Sequence, residues 1–196
     1  MRKKAGIILV IAGVLLIAAA LTLLLYNRHV DHSAGEASRR VVTQMQTLPK
    51  PESSETSADE TEAFPAEMTV KEIDGYGYIG YLNIEKLELR LPVMDTWDYD
   101  RLNIAPCRHF GAVGTGDLVI AGHNFEEHFG RISELKSGDE ISFTDMDGRS
   151  AYYEVQGLET LDPDAVDAVQ YSGCDLVLYT CTYGGANRTA VFCDRK

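Results

Sequence analysis

A chain of 196 residues with an ordinary apolar share of 45% is long enough for one good-sized core plus extras and too short for two comfortable domains. Its formal net charge of −12, with no cluster of lysine or arginine in the part that reads as folded, excludes a nucleic-acid partner, because a phosphate binder needs a basic stripe. Four cysteines, Cys107, Cys174, Cys181 and Cys193, show neither a CxxC pair nor zinc-like companion histidines, so no metal site is expected and no cofactor is implied.

Arg2, Lys3 and Lys4 precede a 22-residue run, Ala5 to Tyr26, that carries no charged side chain. Such a run crosses a bilayer as a helix. Three basic residues in front against Arg28 behind predict a cytoplasmic N-terminus (residues 1–4), a single transmembrane anchor (5–26) and the bulk of the chain outside the cell. A cleaved signal peptide is the rival reading, since Ala18 to Ala20 are small, but Leu21 to Leu25 carry the apolar run past them and favour an uncleaved anchor.

Residues 27–73 are polar and poor in aromatics, with Pro49, Pro51, Pro65 and a Ser/Glu/Thr-rich stretch from Glu52 to Glu62. A segment of that composition buries little. It predicts an extended acidic tether, in which Ala37 to Leu48 is the one stretch suited to a helix.

A folded domain is predicted over 74–196. β-favouring runs follow quickly at Tyr78 to Ile84, Leu87 to Val93, Asp117 to Ala121, Glu140 to Thr144, Ala151 to Thr160, Asp175 to Tyr179 and Thr189 to Cys193. Short strands with turns between them predict a mostly β barrel or sandwich. Short helical pieces are expected at Asp98 to Asn103, Phe129 to Leu135 and near Pro163 to Val169, and Asp147-Gly148 supports a hairpin between the fourth and fifth runs.

Chemistry concentrates at strand ends. The run Leu176 to Tyr179 leads into Thr180 and Cys181, then a glycine-bearing turn and Arg188, which opens the last strand; the run Asp117 to Ala121 ends in Gly122, His123 and Asn124. A thiol, an imidazole and a guanidinium delivered from the ends of different buried strands are the set that thiol acyl transfer needs: a nucleophile, a proton carrier and a fixed cation for the developing oxyanion. Each has a plainer reading. Cys181 is free to be a core thiol, His123 a loop histidine, and Arg188 a salt-bridge partner of Asp117 or Asp175. Among the other histidines, His29 and His32 fall in the tether, His128 in its EEHFG context reads as surface polar, and His109 is a rival to His123.

The order His123, Cys181, Arg188, with AGHN after one strand and LYTC ending another, resembles the sortases, membrane-anchored cysteine transpeptidases of Gram-positive bacteria. The likeness covers roughly Tyr78 to Lys196. Val177 stands where the family's Thr-Leu-x-Thr-Cys signature has its first threonine, and six residues separate Cys181 from Arg188, a short loop. The resemblance implies a closed eight-stranded barrel and catalysis by Cys181, His123 and Arg188. Thr180, Asn124 and Tyr183 become candidates for the substrate cleft. It also implies secreted proteins with a C-terminal Leu-Pro-x-Thr-Gly-like sorting signal as substrates, a peptidoglycan precursor or other amine as acceptor, and a thioacyl intermediate. The absence of an Asp-Pro-aromatic lid motif between Asn27 and Gly77, and of a second apolar span at the C-terminus, leans towards a class D or class B enzyme over the pilin-assembling class C. Glu126, Glu127 and Asp139 read as solvated surface and leave calcium dependence open. Two other functions stay in play: a further wall-active cysteine enzyme such as an L,D-transpeptidase, whose Ser-x-Gly-Cys signature is absent around Cys181, and a membrane-tethered β-domain that binds without catalysing. The sequence alone does not decide whether Cys174 and Cys193 form a disulfide.

Overall fold

The computed structural model describes residues 2–47 and 64–196. The chain falls into two compact units, one ending at Ser33 and the other beginning at Ala34. The first unit is helical, part of α1 (Arg2–Thr47), and α1 is long and apolar enough to cross a membrane. Within the apolar run the Thr22 hydroxyl donates to the Ala18 carbonyl at 2.9 Å, which satisfies it inside the helix. The helix fits a membrane anchor.

The extended tether expected after residue 26 is helix as far as Thr47. The reason is legible in retrospect: Ala34, Ser38, Val41, Val42 and Met45 recur at helical spacing and are all buried, with no proline before Pro49 to interrupt them. Residues 48–63, which hold most of the expected acidic tether, lie outside the described residues. From Phe64 onward the chain already belongs to the folded body. Phe64 and Met68 pack against the main core, and the Arg195 guanidinium lies over the Phe64 ring at 5.2 Å.

Nine strands follow: β1 (Lys71–Ile73), β2 (Tyr76–Ile84), β3 (Leu89–Met94), β4 (Cys107–Phe110), β5 (Leu118–Gly122), β6 (Glu140–Asp145), β7 (Ser150–Leu161), β8 (Leu176–Cys181) and β9 (Arg188–Arg195). Helix α2 (Tyr99–Leu102) lies between β3 and β4, and α3 (Val166–Gln170) between β7 and β8. The pairing order β2-β3-β4-β5-β8-β9-β7-β6 returns to β2 through β6, which closes an eight-stranded barrel and leaves β1 as a short addition to the start of β2. Pairs β3–β4 and β5–β8 are parallel and the rest antiparallel. Closure removes the free edges that an open sheet would expose.

Alternation along the strands sorts the side chains. Leu118, Ile120, Leu176, Leu178 and Val191 join the interior cluster, while Val119, Val177 and Ala190 join an outer one with Tyr179, Phe192 and Leu161. Both faces of β5 and β8 are therefore covered, which is why these strands read as continuous apolar runs. Phe143 on β6 is fully buried in the interior, and Phe143→Ala is expected to cost roughly 3–5 kcal/mol of stability by leaving a cavity, measurable as a lowered denaturant midpoint.

Two strands were not legible in the sequence. β1 is three residues long, and β4 is a four-residue Cys-Arg-His-Phe segment that touches β3 through one residue pair, Met94 with Cys107.

Candidate active site

β5 and β8 run parallel in register, Ala121 with Tyr179 and Gly122 with Thr180. The next residues along are His123 and Cys181. Across β8 from β5, β9 pairs Cys181 with Arg188. The three candidates thus leave three adjacent strands at one end of the barrel, each strand about 4.8 Å from the next. By the alternation above they follow the outward-facing set (Ala121, Tyr179, Ala190) rather than the interior one.

Cys181 is the exposed thiol among four free cysteines. Burial pushes the thiols of Cys107 and Cys193 up to about 12 and raises that of Cys174, so these three stay protonated and unreactive at neutral pH. Cys193 faces the interior, whereas Cys174 packs on the outer cluster. Strand alternation counted back from Cys181 would put Cys174 on the same face as Cys193, but β8 begins only at Leu176: the chain is still turning at Gly173, which has a φ of 77°.

Arg188 donates to the carbonyls of Gly185 (3.1 Å) and Asn187 (3.0 Å). Its own hairpin thus fixes the guanidinium. That hairpin is pinned in turn by Thr182, whose N–H donates to the Asn187 carbonyl at 2.9 Å and whose hydroxyl accepts from Asn187 N–H at 3.0 Å. The carboxylates considered as rival partners are engaged elsewhere: Asp117 accepts from Ala112 N–H at 3.1 Å, and Asp175 from Arg195 N–H at 2.8 Å.

His123 is stacked on Phe125, with ring centroids 3.8 Å apart and 21° between planes. Its carbonyl accepts from Phe129 N–H at 3.1 Å, which folds the loop back on itself. Phe129 then packs where Gly122 has no side chain; a Cβ there would overlap the phenyl ring.

Of the three substrate-cleft candidates, Thr180 is buried and its hydroxyl donates to the Gly122 carbonyl at 2.8 Å, which ties β8 to β5 directly beneath Cys181 and His123. Asn124 is half-buried and Tyr183 fully exposed. Both line a cleft of 300 Å³ together with Thr180, Cys181, Thr182 and Thr189. A second cleft, of 260 Å³, opens on the outer face of the barrel. Its walls include Trp97, Leu161, Val166 and Val169, and Cys181 and Arg188 reach it as well. Cys181 is common to both.

Two further histidines are positioned by the fold near the site. His109, on the strand missed by the sequence reading, lines the outer cleft. Its Nδ1 is 2.8 Å from the Tyr179 hydroxyl, and its ring stacks near Trp97 at 5.2 Å. Burial lowers the pKa of His109 and raises that of Tyr179, so both are neutral at pH 7. Whichever way their shared proton lies, one N–H or O–H of the pair remains available. His128, expected at the surface, is fully buried, because helix α1 lies over it: Ser38 Oγ is 3.2 Å from its Nε2. Burial brings its pKa down to about 4. Among the described residues no group of three His, Cys, Asp or Glu side chains is arranged to hold a metal ion.

Comparison with known proteins bears on the family and the fold. A family model described as Sortase domain matches residues 82–196. No curated protein matches. Among solved structures, sortase C of Clostridium perfringens SM101 superimposes with a TM-score of 0.55 at 22% identity, covering 66% of this chain and 72% of that one. Sortase C1 of Streptococcus agalactiae gives 0.54 at 27% identity, covering 64% and 70%. A C. perfringens sortase C structure with the C-terminal cell wall sorting motif gives 0.54 at 25%, covering 61% and 70%. The family match spans more than half of the chain and coincides with the closed barrel, and the chain belongs to the sortase family of cysteine transpeptidases.

Proposed function

We propose that this sortase cleaves a C-terminal Leu-Pro-x-Thr-Gly-like sorting signal of secreted proteins and transfers the acyl part to a cell-wall amine. Cys181 Sγ, as thiolate, attacks the threonyl carbonyl. The C–N bond to glycine breaks, His123 delivers a proton to the departing amine, and a thioester remains on Cys181. The acceptor amine then attacks the thioester, loses its proton to His123 and expels the Cys181 thiolate, which restores the starting charge state. Arg188 donates hydrogen bonds to the oxyanion of both tetrahedral intermediates. The observation that carries this reading is an exposed thiol on the ridge between two clefts, with a histidine and an arginine leaving the strands on either side.

The two clefts suit the two halves of the reaction. The outer one, with Trp97, Leu161, Val166 and Val169, matches the apolar Leu-Pro part of a signal, and the hydroxyl-lined one, with Asn124, Thr180 and Tyr183, matches an approaching amine such as that of a peptidoglycan precursor. The His109–Tyr179 pair supplies one hydrogen-bond donor for the signal's backbone. Tyr179→Phe removes the hydrogen bond that orients the His109 ring and is expected to raise KM about 2–10-fold, the range for one neutral hydrogen bond, with kcat nearly unchanged in steady-state kinetics on a signal peptide.

In this proposal residues 1–4 lie in the cytoplasm, 5–26 cross the membrane and the barrel is outside the cell, a reading supported by the basic residues Arg2, Lys3 and Lys4 ahead of the apolar run. The missing lid motif favours a protein-anchoring class, D or B, although several of the solved relatives bear the name sortase C. The test is a quenched peptide library of sorting-signal variants, with and without an added amine. Product exchange on adding the amine establishes transfer, and no cleavage of any member contradicts it.

A further inference from the structure

The loop that carries His123 has an outer wall made by α1. Within residues 123–130 the chain is tightly turned: His128 N–H donates to the Phe125 carbonyl at 3.0 Å and Gly130 N–H to the same carbonyl at 2.8 Å. Phe125 is the pivot. It stacks on His123 at 3.8 Å and its ring centroid lies 5.6 Å from that of His128. His128 is in turn fully buried, beside a serine from a helix 90 positions earlier.

That helix comes very close. At Gly35 a Cβ would stand 2.8 Å from Glu127 Cβ, nearer than real carbon contacts allow, so a residue without a side chain is what permits the approach. Arg39 Nη1 meets Glu127 Oε2 at 2.9 Å. Ser38, itself 1% exposed, presents its hydroxyl to His128 and lies 3.4 Å from the Ile104 carbonyl. Without this segment a buried imidazole would lose a polar partner, and a loop held on one side only would sample more conformations.

We propose that residues 34–39 of α1 are part of the active site at one remove: Ser38 and His128 are positioning residues that fix His123 through Phe125. The inference rests on His123 being the catalytic imidazole. A positional error of about 1 Å in a catalytic group can cost on the order of 10²-fold in rate, so a contact whose bulk energy is modest has leverage on turnover. Simple packing by α1 would instead affect stability alone.

The two roles separate in the full-length chain held in detergent micelles. Ser38→Ala removes the hydroxyl, and Gly35→Leu pushes the helix off the loop without altering a barrel residue. Val155→Ala, in the barrel interior on β7, serves as a control that lowers stability only. Steady-state kcat and KM on a signal peptide and the thermal midpoint are measured for each, with His123→Ala as reference. Expected is a fall in kcat of about 3–10-fold for Ser38→Ala and about 10–100-fold for Gly35→Leu, both with KM within about twofold; Val155→Ala keeps its kcat well below its midpoint. Wild-type kcat in both α1 variants, or equal losses in the Val155→Ala control, overturns the inference while leaving the catalytic assignment intact. Wild-type turnover in His123→Ala overturns that assignment, and this inference with it.

Discussion

Replacing Cys181 with alanine is expected to reduce signal-peptide cleavage by about 10⁴-fold or more and to abolish any covalent adduct, because the variant retains binding and oxyanion contacts but has no nucleophile. The size of the effect follows from how little the other thiols can compensate. Cys107 and Cys193 are buried and held near 12, and Cys174 is raised as well and packs on the outer cluster, away from the exposed end of β8. The loss is specific because Cys181 is exposed at a strand end; its side chain fills no core position, so the thermal midpoint of Cys181→Ala stays close to that of the parent. Quenched-peptide turnover and a melting curve on the same sample separate the two quantities.

His123→Ala is expected to lower kcat by about 10²–10⁴-fold, the range for a positioned proton carrier, with a smaller change in KM. The competing possibility is structural as well as chemical, since His109 also faces a cleft that Cys181 lines. The two histidines differ in what they touch. His109 is paired with the Tyr179 hydroxyl at 2.8 Å on the outer face, one strand further away than His123, whose strand β5 lies directly beside β8. His109→Ala should therefore behave like Tyr179→Phe and act on KM. A kcat loss in His109→Ala that equals or exceeds the loss in His123→Ala would reverse the assignment, and rapid-quench measurement of the acylation step for both variants decides it.

The strands that carry the chemistry could be read from the sequence because they are covered on both faces. Leu118 to Ala121 and Leu176 to Leu178 are unbroken apolar runs, and each ends abruptly in polar residues, which is where a barrel exposes its strand ends. Legibility failed where burial is set by distant chain. His128 has glutamates before it and a glycine two residues after it and looks like surface, yet it is buried by a helix far away in sequence. Residues 34–45 look like tether by composition, and only the helical spacing of Ala34, Ser38, Val41, Val42 and Met45 betrays a packed face. β4 gave no pattern because it is four residues long with a register shift between Arg108 and Phe110, so the position of His109 opposite Tyr179 was hidden along with it. The parallel register of β5 on β8, which sets His123 beside Cys181, depends on the order in which the barrel closes and has no local signal.

The central claim, that Cys181 forms a thioester with a sorting signal and yields it to an amine, is tested most directly by intact-mass measurement of the full-length protein after incubation with a signal peptide. The expected result is a mass increase equal to the acyl fragment, mapped by proteolysis to the peptide containing Cys181, absent from Cys181→Ala and discharged when an amine is added. Peptide cleavage without any adduct, or an adduct on another cysteine, would contradict it.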